Sequence, residues 1–419
     1  QGFDTPAGRM QVKAHRIYAE WGGLHQPMRL VAVGLHLADS RGQEVAAAPT
    51  VALTFEPRSV IRGLLLPRSI VIVKPTLNAE IDRQGGMLRR ILPARDATSQ
   101  GGVMDLLIEQ LLAEPNDRTL MGQLDRVEIE SATIAVRDAP SGISWVAPAA
   151  HAVLTRGAGG VAIAADARFS REGSEPFELS LSGTYGRDRS RISAEARIEG
   201  IKPSMFADFS PDVALLRGVD IALSGRLSID ADGSGTVRGV AIEVSGGTGT
   251  INLPGVLPVA HKVRSVSAHA SVDAATHTAR ISDIDIDLGA AKISITGTGT
   301  KTEQGQTFSG RAELRNVPVD RLGDYWPLEF AEGGRDWAVR NLSGGTLEVV
   351  AEFGLSAPGD DISQLAVTRT VALLDYRGMT VHYMPHMPEL VGVSGRARCD
   401  NGTLDRKSTR LNSSHVSES

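Results

Sequence analysis

Three groups of side chains could do chemistry by type and spacing. They are the acids Asp283, Asp285 and Asp287, the histidines His382 and His386, and the cluster of Tyr325, Trp326, Arg335 and Trp337. Carboxylates two residues apart invite a calcium reading, because a hard cation takes several oxygens at once. On an extended chain, however, that spacing puts all three on one face, and the other ligands of a calcium loop are absent, so they read as a solvated strand face. Histidines four apart could share a metal on a helix, but Pro385 breaks such a helix and no His-Glu-x-x-His occurs. Gly233-Ser234-Gly235 and Gly246-Gly247-Thr248-Gly249 lack the Lys-Ser/Thr of a phosphate loop and read as turns. No Gly-x-Ser-x-Gly elbow is present, and the single cysteine, Cys399, allows no disulfide and reads as an inert thiol. No nucleophile–base pair and no metal set emerges, so the expectation is a non-enzymatic protein without a cofactor. The aromatic cluster reads first as packing that staples a short helix to a sheet, and secondly as the entrance to a trough.

The elements around these residues are overwhelmingly strands. Asp283-Ile284-Asp285-Ile286-Asp287-Leu288 and Lys292-Ile293-Ser294-Ile295-Thr296-Gly297 alternate aliphatic and polar residues, and Gly289-Ala290-Ala291 separates them. Successive side chains of a strand point to opposite faces, so the pair reads as an antiparallel hairpin with one aliphatic and one wet face. Similar runs cover 10–19, 28–37, 50–55, 69–73, 76–81 and 125–136, with 69–73 and 76–81 read as a pair. Turns are expected at 39–42, 83–86 and 138–142, and 183–186 is Gly-rich punctuation. Beyond residue 144 short strands follow one another at about 8–12 residue spacing, the mark of an all-β architecture. Helices are expected only briefly, at 56–66 behind Pro57 and at 102–114, where Val103, Leu106, Leu107, Gln110 and Leu111 form an apolar stripe.

An internal repeat is legible. The strand 192–201 leads into Lys202-Pro203-Ser204-Met205-Phe206-Ala207-Asp208-Phe209, and the strand 308–317 into Pro318-Val319-Asp320-Arg321-Leu322-Gly323-Asp324-Tyr325, without a gap between the copies. Repetition of a supersecondary unit builds elongated arrays. The chain therefore divides into an N-terminal groove segment at 1–190 and a repeated strand–helix–strand segment at 191–404. The tail 405–419 resembles the translation of a sequencing-adapter oligonucleotide and is given no role. The 419 residues carry 44 basic and 49 acidic side chains, a balance that excludes the basic stripe of a nucleic-acid binder.

Tyr325-Trp326-Pro327, the stretch Gly334-Arg335-Asp336-Trp337-Ala338-Val339-Arg340-Asn341-Leu342 and Gly344-Gly345-Thr346-Leu347 resemble the signature of the AsmA-like envelope proteins, in their long YhdP-type branch. Ala132-Thr133-Ile134-Ala135-Val136-Arg137-Asp138 with Gly142-Ile143-Ser144-Trp145 is similar to that family's Trp-ended hairpin, and Pro67-Arg68-Ser69-Ile70-Val71-Ile72 to its Pro-x-Ser strand. The resemblance runs over about 10–403. It implies a mainly β fold, a long curved antiparallel sheet forming an open hydrophobic groove. It also implies a periplasmic place in a Gram-negative envelope, an inner-membrane anchor upstream of this sequence, and a part in moving glycerophospholipid towards the outer membrane and its proteins.

One-sided aliphatic strands suit that role. The expected groove lining is Val31, Val33, Leu35, Val71, Val73, Val127, Ile129, Ile284, Ile286, Leu288, Ile293 and Ile295, with the aromatic cluster at its entrance. The alternative is a structural or assembly factor for outer-membrane biogenesis that carries no lipid. A secreted adhesin or β-solenoid is disfavoured, because the repeats contain helices and lie far apart.

Overall fold

A computed structural model describes the chain outside residues 1, 6–7, 22, 24–26, 39–43, 82–102, 117–118, 120, 139–141, 189, 209–210, 303–304, 329–331, 360–365, 385, 401–402, 406–408 and 411–419. The expected turns at 39–42 and 83–86, and most of the tail, lie outside the described residues. The fold is mainly β, with 66% strand and 11% helix, so helices cover only small parts of the sheet surface. The chain divides into two compact units, Gln1–Ile201 with Leu227–Arg238, and Lys202–Arg226 with Gly239–Ser419.

In the first unit the elements are β1 (Gly2–Thr5), β2 (Gly8–Lys13), β3 (Arg16–Glu20), β4 (Met28–Ala38), β5 (Glu44–Phe55), α1 (Pro57–Ile61), β6 (Pro67–Val73) and β7 (Thr76–Ile81). After them come α2 (Val103–Leu112), β8 (Arg126–Asp138), β9 (Ser144–Gly157), β10 (Gly160–Phe169), β11 (Phe177–Gly186) and β12 (Arg191–Ile201). The run expected at 10–19 breaks at Ala14–His15, and both pieces pair with β4. The break faces Gly34, which has φ +65° and would put a Cβ 2.3 Å from the His15 ring.

The sheet is mixed, not purely antiparallel. β6 and β7 do not pair with each other; both run parallel to β8, joined end to end by Lys74 and Pro75. A parallel partner needs a crossover, and the segment from β7 to β8 supplies one that contains α2. Leu111 and Leu112 of α2 are buried against Ile70, Leu124, Val127, Leu154 and Val161. Arg156 holds the end of the helix, donating to the carbonyls of Gln110, Leu111 and Gly122, the last two at 3.0 and 3.1 Å. A guanidinium suits the last turn, where carbonyls lack intrahelical partners and the dipole is negative.

The second unit holds most of β13 (Val219–Asp232), then β14 (Val237–Ile251), β15 (His261–Val263), β16 (Ser265–Asp273), β17 (Thr278–Asp287), β18 (Lys292–Thr302) and β19 (Gly305–Pro318). It continues with α3 (Leu322–Tyr325), α4 (Glu332–Asn341), β20 (Leu342–Ser343), β21 (Thr346–Pro358), β22 (Ala366–Val381) and β23 (Leu390–Asp400), and ends in β24 (Thr403–Asp405) and β25 (Thr409–Arg410). Among the described residues the strand pairings from β14 onward are antiparallel, including the expected hairpin of β17 and β18. The repeat is visible in the backbone: each copy closes its strand on a left-handed residue, Gly200 (φ 76°) or Asn316 (φ 58°), before a 3-10 turn. Both residue types tolerate that conformation.

Two glycine groups are not the expected turns or punctuation. Gly246, Gly247 and Gly249 lie inside β14, and Gly183 inside β11. A Cβ on Gly246 would sit 2.7 Å from Leu223 and 2.9 Å from Ile221, so glycine is there to let neighbouring side chains close over the strand. Gly233-Ser234-Gly235 is a turn, with the Ser234 and Thr236 amides donating to Asp232.

Replacing Leu111 (fully buried) by Ala is expected to cost about 3 kcal/mol of stability, and Ile295→Ala, on a half-buried face, about 1 kcal/mol, measured by urea unfolding. Equal losses would mean that the face bearing Ile295 is ordinary packed core.

Candidate lipid-facing surface

Strand register decides which aliphatic residues share a face, because a shift of one residue reverses every side chain. From β14 through β16, β17, β18, β19, β21 and β22 to β23, eight strands keep their aliphatic residues in phase. One row reads Val244, Ala268, Ile284, Ile295, Ala312, Ala351, Ala372 and Cys399. The next, two residues along each strand, reads Gly246, Val266, Ile286, Ile293, Leu314, Val349, Leu374 and Ala397. All sixteen are half-buried.

At β19, β21 and β22 the first row is alanine (Ala312, Ala351 and Ala372) and lower than its flanks, while on β17 and β18 it carries Ile284 and Ile295, as tall as their neighbours. On one side stand Ile286, Ile293, Leu314 and Leu374. On the other, Phe308 and Phe353 lie with ring centroids 6.0 Å apart above glycines: a Cβ on Gly297 would meet Phe308 at 2.4 Å, and one on Gly310 would meet Phe353 at 2.6 Å. The flanking rows are four residues apart, about 13 Å, and eight strands in series span about 34 Å. The result is an aliphatic face running across the strands, with a shallow furrow where Ala312, Ala351 and Ala372 lie side by side.

The reverse face is wet. Asp283 accepts from or pairs with His269 at 2.8 Å, Ser294 donates to Asp285 at 2.5 Å, and Asp287 accepts from the Gly289 amide at 2.7 Å. Each acid thus has its own partner on a strand face, and no group of three or more candidate metal ligands occurs among the described residues. Glu313 between Arg311 and Arg315 is held below the usual carboxylate range by their hydrogen bonds. Val350 and the exposed Leu373 interrupt this polarity between β21 and β22.

The helices after β19 border the furrow along the flank that carries Leu314, Val349 and Leu374. Ala291, Val317, Val319, Leu322, Tyr325, Ala338, Leu347 and Met379 form a buried cluster, against which Leu288, Leu314, Trp326, Val349 and Leu374 pack. Tyr325 lies in that core, its ring 4.9 Å from His261, whose Nε2 is 2.9 Å from the Asp324 carbonyl. Arg335 reaches back to the Gly323 carbonyl at 3.4 Å. Tyr325, Trp326 and Arg335 are therefore a staple between helices and sheet, and of the four only Trp337 is exposed, at 38%. Sequence reasoning missed His261, buried at 5% relative exposure; a lone histidine after a proline-rich loop carries no pattern that would reveal it.

The expected lining of the first unit is divided between two faces. Val31 pairs with Ala52 and Ala52 with Val71, while Val33 and Leu35 alternate with Val31 in step. Val71 and Val73, however, lie level with Glu128 and Glu130, and Ile70 and Ile72 with Val127 and Ile129. Val31, Val33, Leu35, Val71 and Val73 thus share one face and Val127 and Ile129 the other. Val127 is fully buried in the core under α2, and Ile129 is buried with Ala132 and Ala150, so neither lines an open groove. In the second unit Ile284, Ile286, Ile293 and Ile295 do share a half-buried face, and Leu288 packs against the helix-covered core beside it.

The remaining sequence candidates hold little chemistry. His382 pairs with Glu389 at 3.2 Å and approaches the Ser343 hydroxyl at 3.3 Å. His386 has φ +71°, and Pro385 lies outside the described residues. Cys399 is a half-buried free thiol at the end of the row that starts at Val244. Among the described residues no helix is long and apolar enough to cross a membrane. No protein-family description, curated protein or solved structure matches this chain.

The hydrogen bond to Asp283 raises the pKa of His269 above the ordinary imidazole value. A raised folded-state value means that the pair's stabilisation is complete below the unfolded pKa and is lost as pH rises through the folded one. NMR titration should find His269 titrating above an exposed histidine, and Asp283→Asn should return it; an unchanged titration in the variant would remove Asp283 as the cause.

Proposed function

We propose that this chain is a non-enzymatic segment of a lipid conduit in a Gram-negative periplasm, with glycerophospholipid tails lying in the furrow of the second unit. The observation that carries the reading is the row of small and aliphatic side chains from Val244 to Cys399, half-buried and in phase over eight strands. Such a surface binds by area alone. Each methylene removed from water contributes about 0.8 kcal/mol, about 10 kcal/mol for a full tail, and a furrow covering one side recovers roughly half of that. The row's span of about 34 Å exceeds the ~30 Å hydrocarbon thickness of a bilayer, so tails can sit end to end.

Nothing along the row fixes a headgroup, so a bound lipid slides from strand to strand at little cost. The wet reverse face keeps the same sheet hydrated. The likeness of the Tyr-Trp-Pro and Arg-Asp-Trp stretches to the AsmA-like envelope proteins supports the same reading, with anchoring to the inner membrane by a part of the protein outside this sequence.

Native mass spectrometry of the chain expressed with its membranes tests this. Wild type should carry diacyl glycerophospholipid; Ala312→Trp with Ala351→Trp, which fills the furrow, should lose most of it, and Ser294→Trp on the reverse face should retain it. A lipid-free wild type, or equal loading of all three, would contradict the conduit and leave an assembly factor as the better account.

A further inference from the structure

A second concave surface lies on the wet side of the same sheet, away from the furrow. Arg280, Thr298 and Ser309 are cross-strand neighbours on β17, β18 and β19, and the same row continues through Gly354 to Arg369 on β21 and β22. Two residues along, Thr296, Arg311 and Glu352 form a parallel row. These two rows are the polar part of the lining of an open hollow of about 610 Å³. Its shape follows from the register shifts at Ile281/Ile284 and at Gly354/Leu355, where an extra residue bends the strand, and from Gly354, which leaves the middle of the row without a side chain.

One arginine in this hollow is neutralised by carboxylates and two are not. Arg311 is shared by Glu313 at 3.0 Å and Glu352 at 3.8 Å. Arg280 and Arg369, at opposite rims, have no carboxylate within ion-pair distance among the described residues, unlike Arg315, Arg377, Arg396 and Arg398 on neighbouring parts of the face. Arg280 on β17 and Arg369 on β22 stand four strand steps apart, so the two open positive charges lie about 19 Å from each other across the sheet. Between them lie the hydroxyls of Thr296, Thr298 and Ser309 and the Glu352 carboxylate, and the lining also includes Ile281, Gly297, Gly310 and Phe353.

We infer that this hollow binds an acidic oligosaccharide lying across the strands, its anionic groups meeting Arg280 and Arg369 at the two rims and its hydroxyls meeting Thr296, Thr298, Ser309 and Glu352. Guanidinium groups bind carboxylate or sulfate by charge-assisted, often bidentate hydrogen bonds, and the intervening polar side chains exchange water for sugar hydroxyls. A single small anion reaches only one arginine and gains little. The site does not rest on the lipid reading, since it uses none of the sixteen residues of the two aliphatic rows.

Fluorescence anisotropy with the whole chain and a labelled hyaluronan hexasaccharide, which has one carboxylate per disaccharide, tests the site. The wild type is expected to bind it, to ignore maltohexaose, and to resist displacement by inorganic phosphate at equal charge. Arg280→Ser with Arg369→Ser should weaken binding at least about tenfold with an unchanged thermal melt. The charge-matched control Arg238→Ser with Lys262→Ser should leave it unchanged. No binding by wild type, equal weakening in the two double variants, or full displacement by phosphate overturns the inference. Lipid loading, read separately by mass spectrometry, is unaffected by either double variant, so failure here and failure of the conduit reading are distinguishable.

Discussion

The period-two alternation of strand side chains, kept in phase from strand to strand, is the constraint on which the second unit depends. One strand with aliphatic residues at every second position makes a narrow stripe. Eight registered strands turn those stripes into rows that cross the sheet, as Ile284, Ile295, Ala312, Ala351 and Ala372 do. A slip of one residue anywhere would place Asp285 or Ser294 on the aliphatic face and end it there. Bulges are tolerated only where parity survives: the shift between Ile281 and Ile284 leaves both isoleucines on the aliphatic face.

Helices are used sparingly and for closure. In the second unit α3 and α4, with Tyr325, Trp326 and Ala338, bury one flank of the aliphatic face and leave the adjoining rows half-covered. In the first unit α2 does the opposite work, sealing the face that carries Ile70, Val127 and Leu154 into a conventional core. The two units thus treat the same kind of surface differently, and the difference lies in how much of it a helix covers.

Much of this was legible in the residues. The Asp283–Leu288 alternation read correctly as half of a hairpin, because a wet and a greasy face differ in every residue. The strand–turn–aromatic repeat was equally plain, since Pro203 and Pro318 punctuate both copies. What could not be read was the face of β4 to β6, where neighbours such as Leu30 and Val31, or Ile70 and Val71, are aliphatic on both sides. Such strands carry no period to assign, which is why Val71 and Val127 were placed together though they point apart. The parallel pairing of β6 and β7 with β8 was hidden for a different reason: it depends on a crossover, and pairing partners distant in sequence leave no local mark. Glycines misled where close packing, as at Gly246 under Ile221 and Leu223, mimics the composition of a turn.

The central claim is that hydrocarbon meets the face bearing Ile293 and Ile295 and not the face bearing Ser294 and Thr296. It is tested most directly by placing a photo-crosslinking amino acid in turn at positions 293, 294, 295 and 296 and scoring adducts to phospholipid after irradiation in membranes. The account predicts adducts that alternate, present at 293 and 295 and absent at 294 and 296. Uniform labelling at all four positions, or none at 293 and 295, would contradict it.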